Sequence, residues 1–492
     1  MRLIVTNAVR KYKQLPLPIK ASGWIFVCNI LQKAMQMLTV PIITRMLTAA
    51  EYGTYNVFTS WVNIVFILSS LKLSANGYYV AMKKFGEKSA YPSSVSGLSF
   101  LLLTVWFVVS VIFNKPLSSL TGLTSAMLIL MFVHSYNDSA INLWYADNRY
   151  TYRYKMTVIC TVFLVVFTPV LKIILIAVAS HAGQDKTLAT IWGLIIPKLL
   201  VGLVAWYAMF CRGRKLYIKE YWKFALLFNI PLIPYYMSQV ILNQADRIMI
   251  NSLDSATSAG LYSVAYALAS VMQFTHAAIN NGFIPWQFKT MQKGDSQKVQ
   301  RVSTILTMII SVTYTLVVFC APEIMRIFAA KEYSEAIYCI PPIVMGIFMQ
   351  WIAQLFINVE FYCEKNKILS ISSVVAAGLN IILNLIAIPK YGYIAAAYTT
   401  LICYTANAVF HAVIGIRLSM KTGLGSVFDI YRLVKVTIVS AVTIFAAILI
   451  YPYVIIRYII LCCVFLVFVI NRKRLCEIVK ETLLTIRKKS ID

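Results

Sequence analysis

The chain alternates between apolar stretches about as long as a bilayer is thick and short polar connections. An α-helix of about 20 apolar residues crosses the hydrocarbon core, so each stretch predicts one membrane-spanning helix. We count about fourteen such stretches, and the sequence therefore predicts an all-α polytopic membrane protein. The predicted spans are residues 22–44, 54–78, 95–113, 121–145, 156–179, 188–210, 224–250, 258–285, 302–322, 336–362, 368–388, 392–416, 433–451 and 454–471.

Basic residues collect in every second connection. With the N-terminus placed in the cytoplasm, the inner connections and tail carry about 33 of the 45 lysines and arginines, and the outer connections carry about 7. This positive-inside bias predicts that both termini are cytoplasmic. The mean hydropathy of +0.75 agrees with a membrane protein. A net charge of +27 would indicate nucleic-acid binding in a soluble protein, but here it is spread over short inner segments, so we expect no nucleic-acid partner.

The connections leave no room for a soluble domain. The longest outer one, roughly 323–335, has only about a dozen residues, whereas a stable domain generally needs about 50. No phosphate-binding loop, nucleophile elbow or zinc-protease motif is present in the sequence, and the ten cysteines lack metal-ligand spacing. We therefore expect no cofactor, no metal and no enzymatic activity. A membrane polymerase or ligase remains the less favoured alternative, since it would need a substantial outer loop.

A weak internal repeat and a basic segment suggest two halves. Residues 47–55 align with residues 253–262, which sets Gly53 opposite Gly260 and predicts equivalent tight turns there. The segment 212–223 is basic and aromatic, and it could lie flat on the inner leaflet as an amphipathic helix. The predicted organisation is an N-terminal lobe at 1–211, an inter-lobe linker at 212–223, a C-terminal lobe at 224–423, and two further spans with a basic cytoplasmic tail at 424–492.

Polar side chains recur at helical spacing inside several spans. Charge at mid-membrane is costly, and it usually marks a transport pathway or a structural pair. Spans one and seven are equivalent in the repeat, and both carry a polar stripe that we expect to line one hydrated central cavity. The candidate cavity residues are Asn29, Lys33, Gln36, Lys72, Asp138, Gln239, Asn243, Asp246, Arg247, Gln273, His276 and Glu360.

Several of these side chains also have a structural interpretation. Lys72 and Lys172 could extend to an interface, and Lys198 could satisfy a carbonyl that Pro197 leaves without a donor. Asp138 could pair with a cation of an inner loop.

The remaining candidates divide in the same way. Asp246 and Arg247 could form a structural ion pair, His276 is more simply a hydrogen-bonded side chain of the interior, and the amides could join neighbouring helices. Lys33 is the hardest to explain structurally because it lies near mid-depth. Its structural partner would be an acidic residue of another span, such as Asp138 or Glu360.

Three segments carry a resemblance to a known family. Residues 41–55 resemble the first outer-loop signature of Wzx-type polysaccharide-unit flippases. Residues 245–250 with 259–266, and residues 380–384 with 388–397, are similar to later signatures of the same family. The three occur in order along nearly the whole chain.

The resemblance implies membership of the multidrug/oligosaccharidyl-lipid/polysaccharide exporter superfamily. It implies two six-helix lobes around a central cavity, with two extra C-terminal helices packed outside. It also implies a substrate: a polyprenyl-pyrophosphate-linked oligosaccharide repeat unit. The unit would be turned from the inner to the outer leaflet of the bacterial cytoplasmic membrane by alternating access, for lipopolysaccharide or exopolysaccharide synthesis.

The residues are compatible with that function. Cations would hold the pyrophosphate, and amides and tyrosines would hydrogen-bond the sugars. The alternative within the same superfamily is a lipid II flippase or a multidrug exporter. Membrane lipid and the machinery for polymerisation and chain length are the further partners considered, and coupling to protons or sodium is left open.

Overall fold

The computed structural model describes residues 17–86 and 89–470, and every regular element in that part of the chain is helical. The α-helices there are numbered α1 to α18. They are α1 Leu17–Met46, α2 Ala49–Ser70, α3 Asn76–Phe85, α4 Tyr91–Ile112, α5 Asn114–Thr121, α6 Ser125–Tyr150, α7 Tyr154–His181, α8 Lys186–Cys211, α9 Lys219–Asn229, α10 Ile233–Leu253, α11 Ala256–Gln292, α12 Ser296–Phe319, α13 Ala321–Phe328, α14 Ile340–Tyr362, α15 Asn366–Tyr391, α16 Ile394–Lys421, α17 Ile430–Ile450 and α18 Val454–Ile470.

Each predicted span overlaps one helix or two consecutive helices of the described part of the chain, so the prediction of an all-α polytopic membrane protein is confirmed. Within the described residues, 10 helical segments are long and apolar enough to cross a membrane. The pair α5 and α6, bent by 92°, makes an eleventh if it is one broken span. α2 and α11 are long enough, but they are rich in serine, threonine, asparagine and tyrosine, and α18 has only 17 residues. The fourteen predicted spans are therefore these 10 segments, the broken pair, and α2, α11 and α18, which length and apolarity alone do not identify.

Two predicted spans are interrupted within their length. The span predicted at 54–78 ends at Ser70, because Leu71 and Lys72 adopt the left-handed conformation (φ 47° and 50°) that terminates a helix. The span predicted at 224–250 breaks at the 3₁₀ turn Ile230–Leu232, where Pro231 lacks a backbone donor.

The basic segment after α8 differs from the predicted flat helix. Residues 212–218 are irregular, and the helix begins only at Lys219. Ser93 Oγ donates to the carbonyl of Lys215 (3.1 Å), and the Ile218 amide donates to Ser94 Oγ (3.0 Å). These hydrogen bonds use backbone groups that a helix would pair internally, so residues 212–218 are not helical. The same bonds hold the segment against the start of α4.

Contacts divide the chain into two compact units, residues 1–260 and 261–492. In the first unit α8 packs against α6 and α7, α10 packs against α2, and α1 packs against α7. In the second, α14 packs along α16, and α12 packs against α17. The unit boundary follows α10 and so lies later in the chain than the linker at 212–223; the predicted lobes and their boundaries stay predictions.

Gly53 and Gly260 do not occupy tight turns, so the predicted reason for these glycines is wrong. Gly53 lies inside α2 and Gly260 inside α11, and neither has a positive φ. A Cβ on Gly53 would overlap the carbonyl oxygen of Ala256 and lie 2.8 Å from the Gly260 amide nitrogen, and a Cβ on Gly260 would overlap the carbonyl of Ala49. The two glycines are therefore needed because two helix backbones cross in contact.

Candidate functional site

Five ionisable side chains gather inside the first unit, and we call them the lysine cluster: Lys72, His134, Asp138, Lys172 and Lys198. Lys198 Nζ lies 2.7 Å from Asp138 Oδ1 and 2.9 Å from His134 Nε2. Asp138 also interacts electrostatically with Lys72, and His134 with Lys172. The cluster has three lysines for one carboxylate, so it carries an excess of positive charge.

Three helices bring the cluster together. His134 and Asp138 are four residues apart and share one face of α6. Lys198 projects from α8. This helix packs closely on α6 at Gly202, where any side chain would overlap that of Asn137. Lys198 is the thirteenth residue of a 26-residue helix, so the ion pair lies near the middle of its span.

Lys172 does not extend to an interface. Its side chain is buried, donates to the Tyr55 hydroxyl (2.6 Å), and lies over the Tyr55 ring at 4.8 Å from the centroid. Gly193 permits this arrangement, because a Cβ there would lie 2.6 Å from the Lys172 Cα. The ammonium of Lys172 makes a cation–π contact with the Tyr55 ring. This contact, with the hydrogen bond to the hydroxyl, explains how the charged group can be buried away from water.

Lys72 remains half-buried at the break between α2 and α3. Its ammonium lies 5.6 Å from the centre of the Phe66 ring. Of the predicted cavity residues, Lys72 and Asp138 are the two that the structure brings into the lysine cluster. Asp138 pairs with a lysine of a neighbouring span, not with a cation of an inner loop.

The polar stripe of α1 is exposed. Asn29, Lys33 and Gln36 are all exposed side chains, and Lys33 has no hydrogen bond or ion pair within the described residues. The two acidic residues considered as its structural partners are engaged elsewhere: Asp138 with Lys198, and Glu360 with His411.

Two residues of the α10 stripe make hydrogen bonds within the first unit. Asn243 Nδ2 donates to the carbonyl of Gln239 (2.7 Å), and Arg247 donates to Gln244 Oε1 (2.7 Å). The same Gln244 oxygen accepts from Ser60 of α2 at 3.0 Å. Asp246 is buried. Arg247 thus belongs to a polar seam between α2 and α10.

In the second unit the predicted residues take part in hydrogen bonds between helices. Gln273 Nε2 donates to Gln350 Oε1 (3.1 Å), and His276 Nδ1 lies 3.3 Å from the Tyr314 hydroxyl. These contacts agree with the interpretation of both residues as interhelical links.

Glu360 lies in the interior of the second unit. Its carboxylate is 2.8 Å from His411 Nδ1, and His411 Nε2 is 3.0 Å from Ser372 Oγ. The side chains of Glu360 and His411 are 0% and 2% exposed, so neither is accessible to a substrate in this conformation.

Sequence reasoning missed His134, Lys172, Lys198 and Tyr55 as members of a common site. Lys172 and Lys198 were visible as mid-span charges, but each had a local explanation. The informative signal was the pair His134 and Asp138 at helical spacing, together with more mid-span lysines in the first six predicted spans than carboxylates to balance them.

Comparison with known proteins then identifies the family. Residues 19–291, more than half of the chain, match the family model described as polysaccharide biosynthesis protein. The chain belongs to this family. It is 22% identical over 377 residues to the Lsg locus putative protein 1 of Haemophilus influenzae, covering 73% of this chain and 88% of that protein. It is also 22% identical over 409 residues to the probable low-salt glycan biosynthesis flippase Agl15 of Haloferax volcanii, covering 80% and 82%.

Solved structures show the same fold. The lipid II flippase MurJ in an inward closed conformation has a TM-score of 0.69 and 16% identity, covering 93% of this chain and 100% of that chain. An inward-facing multidrug resistance MATE transporter of the MOP superfamily has a TM-score of 0.60 and 11% identity, covering 79% and 95%. The expected resemblance is confirmed at the level of the family: the chain is a multi-pass membrane protein of the polysaccharide biosynthesis protein family, and it shares the fold of these transporters.

Proposed function

We propose that this protein flips a polyprenyl-pyrophosphate-linked oligosaccharide repeat unit from the inner to the outer leaflet of a bacterial cytoplasmic membrane. The observation that carries the proposal is the lysine cluster, an excess of cations among the membrane-spanning helices of the first unit, with Lys198 at the middle of its helix. A pyrophosphate cannot cross hydrocarbon unaided, because it would lose its hydrogen bonds to water without replacement. Membrane-embedded cations are the groups that would replace them.

The exposure of the cluster supports this role. The side chains of Lys198 and Asp138 keep 22% and 24% of their exposure. Charged side chains inside a membrane protein face water or protein and not lipid, so this face of the first unit would border a hydrated pathway. Lys198 is shared between Asp138 and His134, and a phosphate oxygen would compete with the carboxylate for it.

The other predicted cavity residues complete the proposal. Lys33 and Arg247 would meet the pyrophosphate as further cations, Lys33 as a point charge and Arg247 as a forked donor. The side-chain amides of Asn29 and Gln36 on α1, and those of Gln239 and Asn243 on α10, would hydrogen-bond sugar hydroxyls. Gln273, His276 and Glu360 would serve mainly to hold the second unit together.

The mechanism we propose is alternating access of two lobes around the substrate, with the polyprenyl tail remaining in lipid. Both termini would be cytoplasmic, and polymerase and chain-length proteins would receive the unit on the outer side. The protein would act as a transporter without enzymatic activity, and proton or sodium coupling is a further part of the proposal without a residue assigned to it.

The test is a Lys198 series in the producing cell. Lys198→Ala should leave lipid-linked units stranded on the inner leaflet and reduce surface glycan, since losing one charged hydrogen bond to a phosphate slows transport roughly tenfold or more. Lys198→Arg should retain part of the activity because it keeps the charge. Stranded units are measured by extracting the lipids and counting the accessible sugar on inverted membrane vesicles.

Lys390→Ala is the matched control, because Lys390 is an exposed lysine at the end of α15, distant in sequence from the cluster. It should transport as the parent does. Normal transport by well-folded Lys198→Ala would contradict the role of the cluster. Accumulation of lipid II, with lipid-linked oligosaccharide unchanged, would favour the lipid II alternative.

A further inference from the structure

A second polar feature lies in the first unit, away from the lysine cluster. A cavity of about 190 Å³ is lined by Ala21 and Ile25 of α1, Asn148 and Arg149 near the end of α6, Tyr152 of the connection, and Tyr154 and Thr157 at the start of α7. This volume is many times what one water molecule needs, and the polar atoms among its otherwise apolar lining can hydrogen-bond water or a ligand there.

Two buried polar atoms in its lining lack hydrogen-bond partners. Asn148 Nδ2 and Thr157 Oγ1 make no hydrogen bond within the described residues, and both residues are only 4% exposed. A buried donor without a partner destabilises the folded state, because it has lost its hydrogen bonds to water. Their convergence on one cavity therefore indicates that a ligand or ordered water supplies the missing acceptor.

The helix α7 adds further donors at the same place. It begins at Tyr154, and its N-cap residue Arg153 makes no side-chain capping hydrogen bond. The first backbone amides of a helix have no partner inside the helix, and the helix dipole favours negative charge at that end. Such an end, combined with unpaired side-chain donors, favours an anion.

The charges around the cavity select the same ligand class. Within the described residues its lining contains one cation, Arg149, and no carboxylate. The neighbouring Asp147 is already engaged by Arg212 at 3.0 Å and by the Tyr78 hydroxyl at 3.1 Å. Arg149 lines the cavity and is exposed to solvent, so its guanidinium could donate hydrogen bonds to the oxygens of a ligand that enters from solvent.

We infer that this cavity binds a phosphate group, carried either by an anionic membrane lipid or by free phosphate. A guanidinium, a hydroxyl, an amide N–H and a helix N-terminus together offer the donors that phosphate oxygens accept. By the predicted topology the cavity lies at the cytoplasmic end of the spans, where the headgroups of the inner leaflet are available. The inference stands apart from the transport proposal, because it concerns different residues and is tested by binding alone.

The test uses the purified full-length protein in detergent. Phosphatidylglycerol, diacylglycerol and inorganic phosphate are titrated separately, and bound molecules are counted by native mass spectrometry for the lipids and by calorimetry for phosphate. Arg149→Gln should weaken phosphatidylglycerol binding about tenfold, because it removes a charged hydrogen bond. Thr157→Val, which keeps the shape of the side chain, should weaken it several-fold.

Lys155→Gln is the matched control: it removes an exposed cation of the same helix that does not line the cavity. It should change binding less than twofold. Phosphatidylglycerol binding that depends on Arg149 and Thr157 assigns the site to lipid, and phosphate binding with the same dependence assigns it to free phosphate. Equal affinity for diacylglycerol, equal loss in Lys155→Gln, or binding unaffected by both cavity variants would overturn the inference.

Discussion

The pair Asp138–Lys198 offers a test that separates stability from transport. The two charges are 2.7 Å apart and about a fifth to a quarter exposed, at 22% and 24%. Removing one partner of a fully buried pair costs about 3–5 kcal/mol, and partial exposure reduces this by screening. We therefore expect Asp138→Ala to lower the free energy of unfolding by about 2 kcal/mol, a roughly thirtyfold shift in the unfolding equilibrium.

The loss should be smaller in Lys198→Ala, about 1 kcal/mol, because Asp138 keeps its electrostatic interaction with Lys72. In Asp138→Ala, by contrast, three lysines remain without their carboxylate. The double variant Asp138→Ala/Lys198→Ala should be more stable than the sum of the single effects predicts, by about 1 kcal/mol, since it leaves neither charge unpaired.

The assay is the fraction of monodisperse protein after heating in detergent, measured alongside the stranded lipid-linked units. The double variant should recover folded protein and yet fail to restore transport, because it lacks the cation. Additive stability losses would show that the two side chains are not coupled. Full transport by the double variant would show that the cation of Lys198 is dispensable, and the reasoning about the cluster would be refuted.

Two further predictions concern α1 and the helix crossing. Lys33→Ala should keep the protein level and strand lipid-linked units, Lys33→Arg should restore part of the flux, and Lys33→Glu should be worse than alanine; loss of protein in Lys33→Ala would instead make Lys33 structural. Gly53→Val and Gly260→Val should each lower the amount of folded protein in the membrane by several-fold, because a side chain would overlap helix backbone. Gly378→Val serves as the control for abundance, since a Cβ at Gly378 meets nothing within 4 Å; normal amounts in both crossing variants would refute the close approach.

The sequence by itself determined the helical membrane class, the positions of the spans and the presence of charge at mid-depth. These features follow from local properties: hydrophobic length, basic residues near span ends, and the 3.6-residue period that places His134 and Asp138 on one face. The three sequence motifs that begin at residues 41, 245 and 380 also predicted the family.

Only the tertiary structure decided which of those charges meet. Lys198 could have served a carbonyl near Pro197, but the close packing of α8 on α6 at Gly202 brings it to Asp138. Glu360 could have faced a cavity, but His411 of α16 encloses it. Helical periodicity fixes the direction in which a side chain points from the axis of its helix. Which side chain it meets depends on how a second helix crosses the first. That crossing is set by small residues such as Gly53 and Gly260, whose role becomes visible only when the second helix is in place.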